Sequence, residues 1–334
     1  MTDGRQTEAD PDATTRPGPE RGAGPSPDGC SPRSLARGEP LAGTASGIRS
    51  FLLVEHDGPW GVEILNDARL PGPLLARLRR EAGRTGVRVL LIRRFRRRRG
   101  PATDTPRVFA AHTRPGRAWC ETATFDSYDR LADLDLAALG RGERLGLEDH
   151  PEPVLAVCTH GRHDTCCASY GRPVAAALSA ALPEHTWECS HMGGDRFAAN
   201  LVTLPGGFYF GRLTPVSAVA VAHRLLAGEL ELDHLRGRTW FATPVQAAEI
   251  AVRRAHDAHR IDAVRLVWRQ QLGSDGIGRL TRCRFAVTGA GEWTVDVRSV
   301  AGEPELLTCR AIKRNPPPVH TVLGIHPSDP PSPD

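Results

Sequence analysis

The chain has 334 residues, 40% hydrophobic and 25% charged, with a formal net charge of +4. That length and apolar content suit two cored domains plus tails. The charge is too small to mark a nucleic-acid binder, and no apolar run approaches the roughly 18 residues of a membrane span. No basic-then-apolar leader opens the sequence, so a cytoplasmic protein is expected. Thiols stay reduced there, and clustered cysteines point to metal binding or catalysis rather than disulfides.

Residues 1–46 are rich in Pro, Gly, Ser, Thr and Asp without hydrophobic periodicity, which predicts a disordered tail with Cys30 incidental to it. Order is expected from Ser50. SFLLVEH (50–56) and VRVLLIRR (87–94) read as buried strands, and PGPLLARLRREAG (71–83) between them as an amphipathic helix, a βαβ unit with parallel pairing. Strands at 107–113 and 119–125, a helix at 131–139 and a connector at 140–150 complete an N-terminal α/β domain (47–150). It resembles half of a thioredoxin-type sandwich. RRFRRRR (Arg93–Arg99) holds six arginines in seven residues. It is a candidate docking patch for an acidic redox partner, weighed against a plain solvated loop.

The second domain (151–245) opens with PVLAV, a buried strand that runs into Cys158. The loop THGRHDTC and an alanine-rich helix follow. HTWEC is the next strand, then a hairpin around LPGG and a helix over VSAVAVAHRLLAGEL. This β–α–β–β–α order predicts a thioredoxin-like unit. Residues 246–315 read as a helix followed by four antiparallel strands, AVRLVWRQQ, RCRFAVT, WTVDVRSV and ELLTCRAI. Residues 316–334 (PPPVHTVLGIHPSDPPSPD) read as a Pro-rich tail. HDAH (256–259) is expected to be solvated.

Four of the eight cysteines, Cys158, Cys166, Cys167 and Cys189, fall between Val154 and Asn200, together with His160, His163, His191 and Asp195. Thiolates, imidazoles and a carboxylate in one window are what a transition-metal or iron–sulfur site needs. Adjacent backbone directions let only one of Cys166 and Cys167 point easily at a shared site, which makes Cys166 a core residue. Asp164 is placed to cap the helix that follows, and His160 and His163 to be loop residues. Arg196 is a candidate salt-bridge partner for Asp195. Gly193 and Gly194 allow a tight ligand loop with positive φ. Cys120, Cys283 and Cys309 receive no role.

CTHGRHDTCC, WECSHMGGDRFAAN, YFGRL and LRGRTWFATPVQAAE, with EPLAGTASGIRSFLLVEHDGPWG upstream, resemble the sucrase/ferredoxin-like family. The resemblance covers about residues 39–250. It implies a thioredoxin-like ferredoxin domain whose [2Fe–2S] cluster is held by two cysteines with eight residues between them and by an H-x-x-x-H pair. Cys158, Cys167 and His191 match; Asp195 stands where the second histidine would be. Cys189 is the alternative fourth ligand, and loss of the cluster is a further possibility. An aspartate ligand would add negative charge and lower the potential relative to two histidines. The reading that follows is a one-electron carrier with a reductase or electron acceptor as partner, rather than an enzyme with its own substrate. The alternatives are a thioredoxin-like thiol oxidoreductase, against which stands the lack of a C-x-x-C motif before a helix, and a zinc-binding or cluster-less interaction module.

Overall fold

The computed structural model describes residues 26–95 and 105–328. In chain order its elements are α1 (Cys30–Ala36), β1 (Ser50–Glu55), α2 (Ile64–Asp67), α3 (Gly72–Thr85), β2 (Arg88–Arg93), β3 (Arg107–His112), β4 (Trp119–Thr124), α4 (Leu136–Arg141) and β5 (Glu148–Asp149). There follow β6 (Val154–Cys158), α5 (Thr165–Ala181), β7 (Thr186–Cys189), β8 (Leu201–Leu204), β9 (Phe208–Phe210), α6 (Pro215–Leu226), β10 (Leu235–Arg238) and α7 (Thr243–Ala255). The chain closes with β11 (Val264–Ser274), β12 (Arg279–Val287), β13 (Gly291–Ala301) and β14 (Pro318–Pro327).

The α/β class expected from the sequence is observed, as a ten-stranded mixed sheet and a separate four-stranded antiparallel sheet. The large sheet runs β10-β9-β8-β6-β7-β2-β1-β3-β4-β5. β6 and β7 are parallel, while β8 is antiparallel to both β6 and β9. The order β9-β8-β6-β7 is that of the thioredoxin-like unit. β4-β3-β1-β2 repeats it, with β1 parallel to β2 and antiparallel to β3. The two halves therefore share one continuous sheet. They join where β2 and β7 pair antiparallel through Ile92–Cys189 and Arg93–Glu188 only. Both pairs lie at the C-terminal ends of their strands, so the loops following β1 and β6 converge over the seam.

One buried cluster crosses the seam, with Phe51, Leu53, Leu90, Ile92 and Phe109 from one half and Val154, Ala156, Cys158, Trp187 and Cys189 from the other. Phe109 meets Trp187 edge to face at 5.5 Å. The near-continuous apolar runs of β1, β2 and β6 follow from burial on both faces: one against helix α3 (through Leu74 and Leu78) or helices α5 and α6, the other in the cluster that crosses the seam. α6 starts at a capping box between Thr214 and Ser217.

Three sequence expectations need correction. Within the segment read as disordered, residues 30–36 form α1, held by Ser31 Oγ donating to the Ala198 carbonyl at 2.9 Å and by Arg212 on Ser34; Cys30 is buried. Residues 1–25 lie outside the described residues. In the C-terminal sheet, ELLTCRAI is not a strand. The fourth strand is β14, inside the stretch read as a Pro-rich tail, and it pairs with β13 along the sheet edge. Pro318 and Pro327 sit at its two ends, where proline removes no interior ladder bond. Finally, Arg93 and Arg94 are not free to form a docking patch. Arg93 pairs with Glu188 at 2.7 Å and stacks over Trp60, and Arg94 stacks over Trp187 and donates to the carbonyls of Glu184 and Thr186. Arg96–Arg99 lie outside the described residues. Among the described residues no helix is long and apolar enough to cross a membrane.

Candidate metal centre

β6, buried throughout, delivers Cys158 at its end, and α5 delivers Cys167 from its first turn. Asp164 caps that helix as expected, accepting from the Cys166 N–H at 2.9 Å. β7 leads into a loop that turns through Gly193 (φ 102°) and Gly194 (φ 82°) and brings His191 and Asp195 back over the strand ends. A side chain at residue 194 would strike the Arg236 guanidinium at 2.2 Å, so glycine is required there.

Two overlapping sets of side chains result, Cys158–Cys167–His191 and His163–His191–Asp195, each with its ligand atoms within 4.8 Å of one another. Of the four residues expected from the sequence, Cys158, Cys167 and His191 share one set, and Asp195 adjoins it through His191 and Cys167. Cys189 is fully buried in the seam cluster, in register with Cys158 on the neighbouring strand, and stands outside both sets. Arg196 pairs with Glu39 at 2.7 Å, leaving Asp195 without the expected arginine partner.

Electrostatics couple the groups tightly. The Cys158 thiol is lowered, chiefly by the Cys167 thiol donating to it, against burial and with help from a charged His191. Cys167 is raised by that same contact and by burial, and its Sγ lies 3.1 Å from Asp195 Oδ1. Burial opposes ionisation of Asp195, but His191 and the Cys167 thiol outweigh it and hold the carboxyl below its ordinary range. Burial likewise opposes protonation of His191, yet the carboxylate at 2.8 Å raises the ring's pKa. The pair places a ring nitrogen and a carboxylate oxygen side by side in a buried site, a donor set that suits a transition-metal cation.

Sequence reasoning missed three contributors. His160 accepts the His191 N–H at Nδ1 (3.2 Å) and donates from Nε2 to the Gly61 carbonyl (2.9 Å), stitching both loops to the N-terminal half. Burial holds it neutral. His163 stacks on His191 with 3.7 Å between ring centroids. Its Nδ1 donates to the Val62 carbonyl at 3.3 Å, leaving the Nε2 lone pair on the side of Asp195, 3.8 Å away. Its place in the Cys158–Cys167 loop was the available signal. Arg236, fully buried, donates to the carbonyls of Gly193 (3.1 Å) and Thr44 and to Asn200 Oδ1 (2.8 Å), and so braces the ligand loop. Burial pushes its pKa down to about 10, which leaves it charged. Nothing local in the sequence links residue 236 to residue 193.

A family model described as sucrase/ferredoxin-like matches residues 41–237. The chain belongs to the sucrase/ferredoxin-like family. No curated protein and no solved structure matches it. In this member of the family the candidate centre opens on one side to a cleft of about 510 Å³, lined by Val62, Glu63, Arg79, Arg88 and the three histidines 160, 163 and 191. The thiol side is closed, with Cys158 and Cys167 each about 1% exposed.

Proposed function

We propose that this member of the sucrase/ferredoxin-like family is a one-electron carrier whose [2Fe–2S] cluster is held by Cys158, Cys167, His191 and Asp195. The observation that carries the reading is the division of the site into a two-sulfur set and an imidazole–carboxylate set that share His191, with the sulfurs and Asp195 buried and the imidazoles reaching the cleft. A two-iron cluster needs two protein ligands per iron, and mixed ligation of this kind separates the irons electronically. When bound, the cluster would accept and release a single electron. The chain's own residues would set its potential. Cys158 and Cys167 exclude water on one side, and Asp195 adds negative charge that favours the oxidised state. His160 fixes the orientation of the His191 backbone.

A specific observation favours a second assignment of the fourth ligand. His163 donates its Nδ1 proton to a backbone carbonyl, the arrangement common for ligating histidines, and its Nε2 is directed at the site. In that case Asp195 would serve as the partner that orients His191. The cleft on the imidazole side is the natural approach for a reductase or electron acceptor, and Arg96–Arg99 remain candidates for guiding an acidic one.

The test is an absorption spectrum with iron and sulfide analysis on protein purified without air. Red-brown protein with charge-transfer bands and about two irons per chain is expected. Colourless protein that takes up no iron on anaerobic reconstitution would overturn the carrier reading, leaving the thiol and binding-module alternatives.

A further inference from the structure

A second convergence of ligating groups lies at the start of α5 and shares no residue with the centre above. Cys30 from α1, Cys166 from the first turn of α5, Cys309 from the loop between β13 and β14, and the Asp164 carboxylate place their ligand atoms within 4.8 Å of one another. Cys30 and Cys309 are 279 positions apart in the chain, yet their Sγ atoms are 3.5 Å apart; Cys166 Sγ lies 3.4 Å from Cys309 Sγ. Cys30 Sγ is 3.6 Å from both oxygens of Asp164. Four ligands around a tetrahedral zinc, with Zn–S near 2.3 Å and Zn–O near 2.1 Å, would show S···S of about 3.8 Å and S···O of about 3.6 Å. The Cys30–Cys309, Cys166–Cys309 and Cys30–Asp164 edges match that size to within a few tenths of an ångström, and every other edge is below 4.8 Å.

The surroundings are built for such an ion. Asp164 is completely buried, and among the described residues no Lys, Arg or His pairs with it. Each of its oxygens already accepts one backbone N–H, from Cys166 (2.9 Å) and from Cys309 (2.6 Å), which fixes the carboxylate and leaves lone pairs toward the sulfurs. The Cys30 N–H lies 3.3 Å from Cys309 Sγ, the contact a metal thiolate accepts. A Cβ at Gly29 would come within 2.6 Å of Cys166 Sγ, so the chain passes the site at its closest permissible approach. Buried carboxylates without a cationic partner are costly, and three soft sulfurs beside one specify the cation that would relieve it.

We propose that Cys30, Cys166, Cys309 and Asp164 bind a structural zinc ion. All four positions are filled by the protein, the pattern of a structural rather than a catalytic site. The ion would clasp α1 and the 302–317 loop, from opposite ends of the chain, onto the start of α5. Because Cys166 and Cys167 are consecutive, the clasp would also fix the helical turn that presents Cys167 to the other centre.

The test is metal analysis of the full chain purified anaerobically from zinc-supplemented cells, with folding checked by circular dichroism. The wild type should carry about one zinc. Cys309→Ser, in a half-exposed loop, should lower zinc at least tenfold, and Asp164→Asn, which keeps a capping oxygen, should weaken it in titration against a chromophoric chelator. Cys158→Ser should lose any iron and keep its zinc, which separates this site from the carrier reading. At the zinc absorption edge a shell of about three sulfurs and one oxygen is expected. Metal-free wild type that takes up no zinc under reducing conditions would overturn the proposal. So would zinc unchanged in Cys309→Ser, zinc lost in Cys158→Ser, or a Cys166–Cys309 disulfide in place of bound metal.

Discussion

Beneath the apolar cluster that crosses it, the seam between the two half-sheets carries two backbone register pairs and one buried ion pair, and breaking that ion pair should be disproportionately costly. Arg93 Nε lies 2.7 Å from Glu188 Oε2 and Nη2 lies 3.3 Å from Oε1, with 7% and 8% of the side chains exposed. Replacing Arg93 by Met keeps an unbranched side chain of similar reach but leaves Glu188 without its buried partner, a cost of about 3–5 kcal/mol. Replacing both residues, Arg93→Met with Glu188→Leu, removes the unpaired charge and should recover most of that loss, to within about 2 kcal/mol of wild type. Urea denaturation of the wild type, both single variants and the double variant closes the cycle; the coupling is read from the midpoints at constant slope. On heating, the Arg93→Met loss corresponds to a midpoint lowered by on the order of 10 °C. A single variant costing less than about 1 kcal/mol, or strictly additive losses, would refute the view that this buried pair locks the seam.

Other outcomes follow from the same geometry. Cys189→Ala should retain any iron. Asp195→His should retain it and raise the potential by on the order of 100 mV, and loss of iron in His163→Ala but not in Asp195→Asn would move the fourth ligand to His163. Arg236→Met removes charge-assisted bonds to Gly193 and Asn200 and should destabilise the protein by about 3 kcal/mol, read by denaturation, and hasten iron loss to a chelator. Stability should fall as pH drops below 6.5, the ordinary histidine value. Burial lowers His56, His112, His150, His160 and His320 in the folded state, so between their folded and unfolded pKa values the unfolded chain binds more protons. Two groups raised in the fold oppose this: Asp164, pushed up to about 7 chiefly by burial, and His191, held up by the Asp195 carboxylate. Denaturation midpoints from pH 8 to pH 5 check the trend, and a flat or rising profile toward acid would contradict it.

Local chemistry was legible in the sequence and long-range chemistry was not. The strand ending in Cys158, the helix bearing Cys167 and the glycine-shaped loop carrying His191 and Asp195 each follow from patterns within some 20 residues. The βαβ pattern at 50–94 announced a thioredoxin-like half. That both halves share one sheet depends on the Ile92–Cys189 and Arg93–Glu188 pairings, which no periodicity encodes. Composition misled at both ends. Residues 30–36 have too little apolar surface to fold alone, but Ser31 and Ser34 bond to groups 160 to 180 residues away. PVHTVLGIHP looks like a tail, yet it alternates well enough to pair with β13 at an edge. Cys309 was unreadable because its partners lie at residues 30, 164 and 166.

The repeated half-sheet gives the molecule leverage. Since β2 and β7 overlap only at their tips, the loop after β1 lies against the loop after β6. The N-terminal half thereby touches the half that bears the candidate centre through Gly61 on His160, Val62 on His163 and Trp60 edge-on to His160. Whatever grips α2, α3 or the cleft between them pulls on these three contacts first. The N-terminal half is thus a handle by which an outside surface could retune the imidazoles without approaching a cysteine.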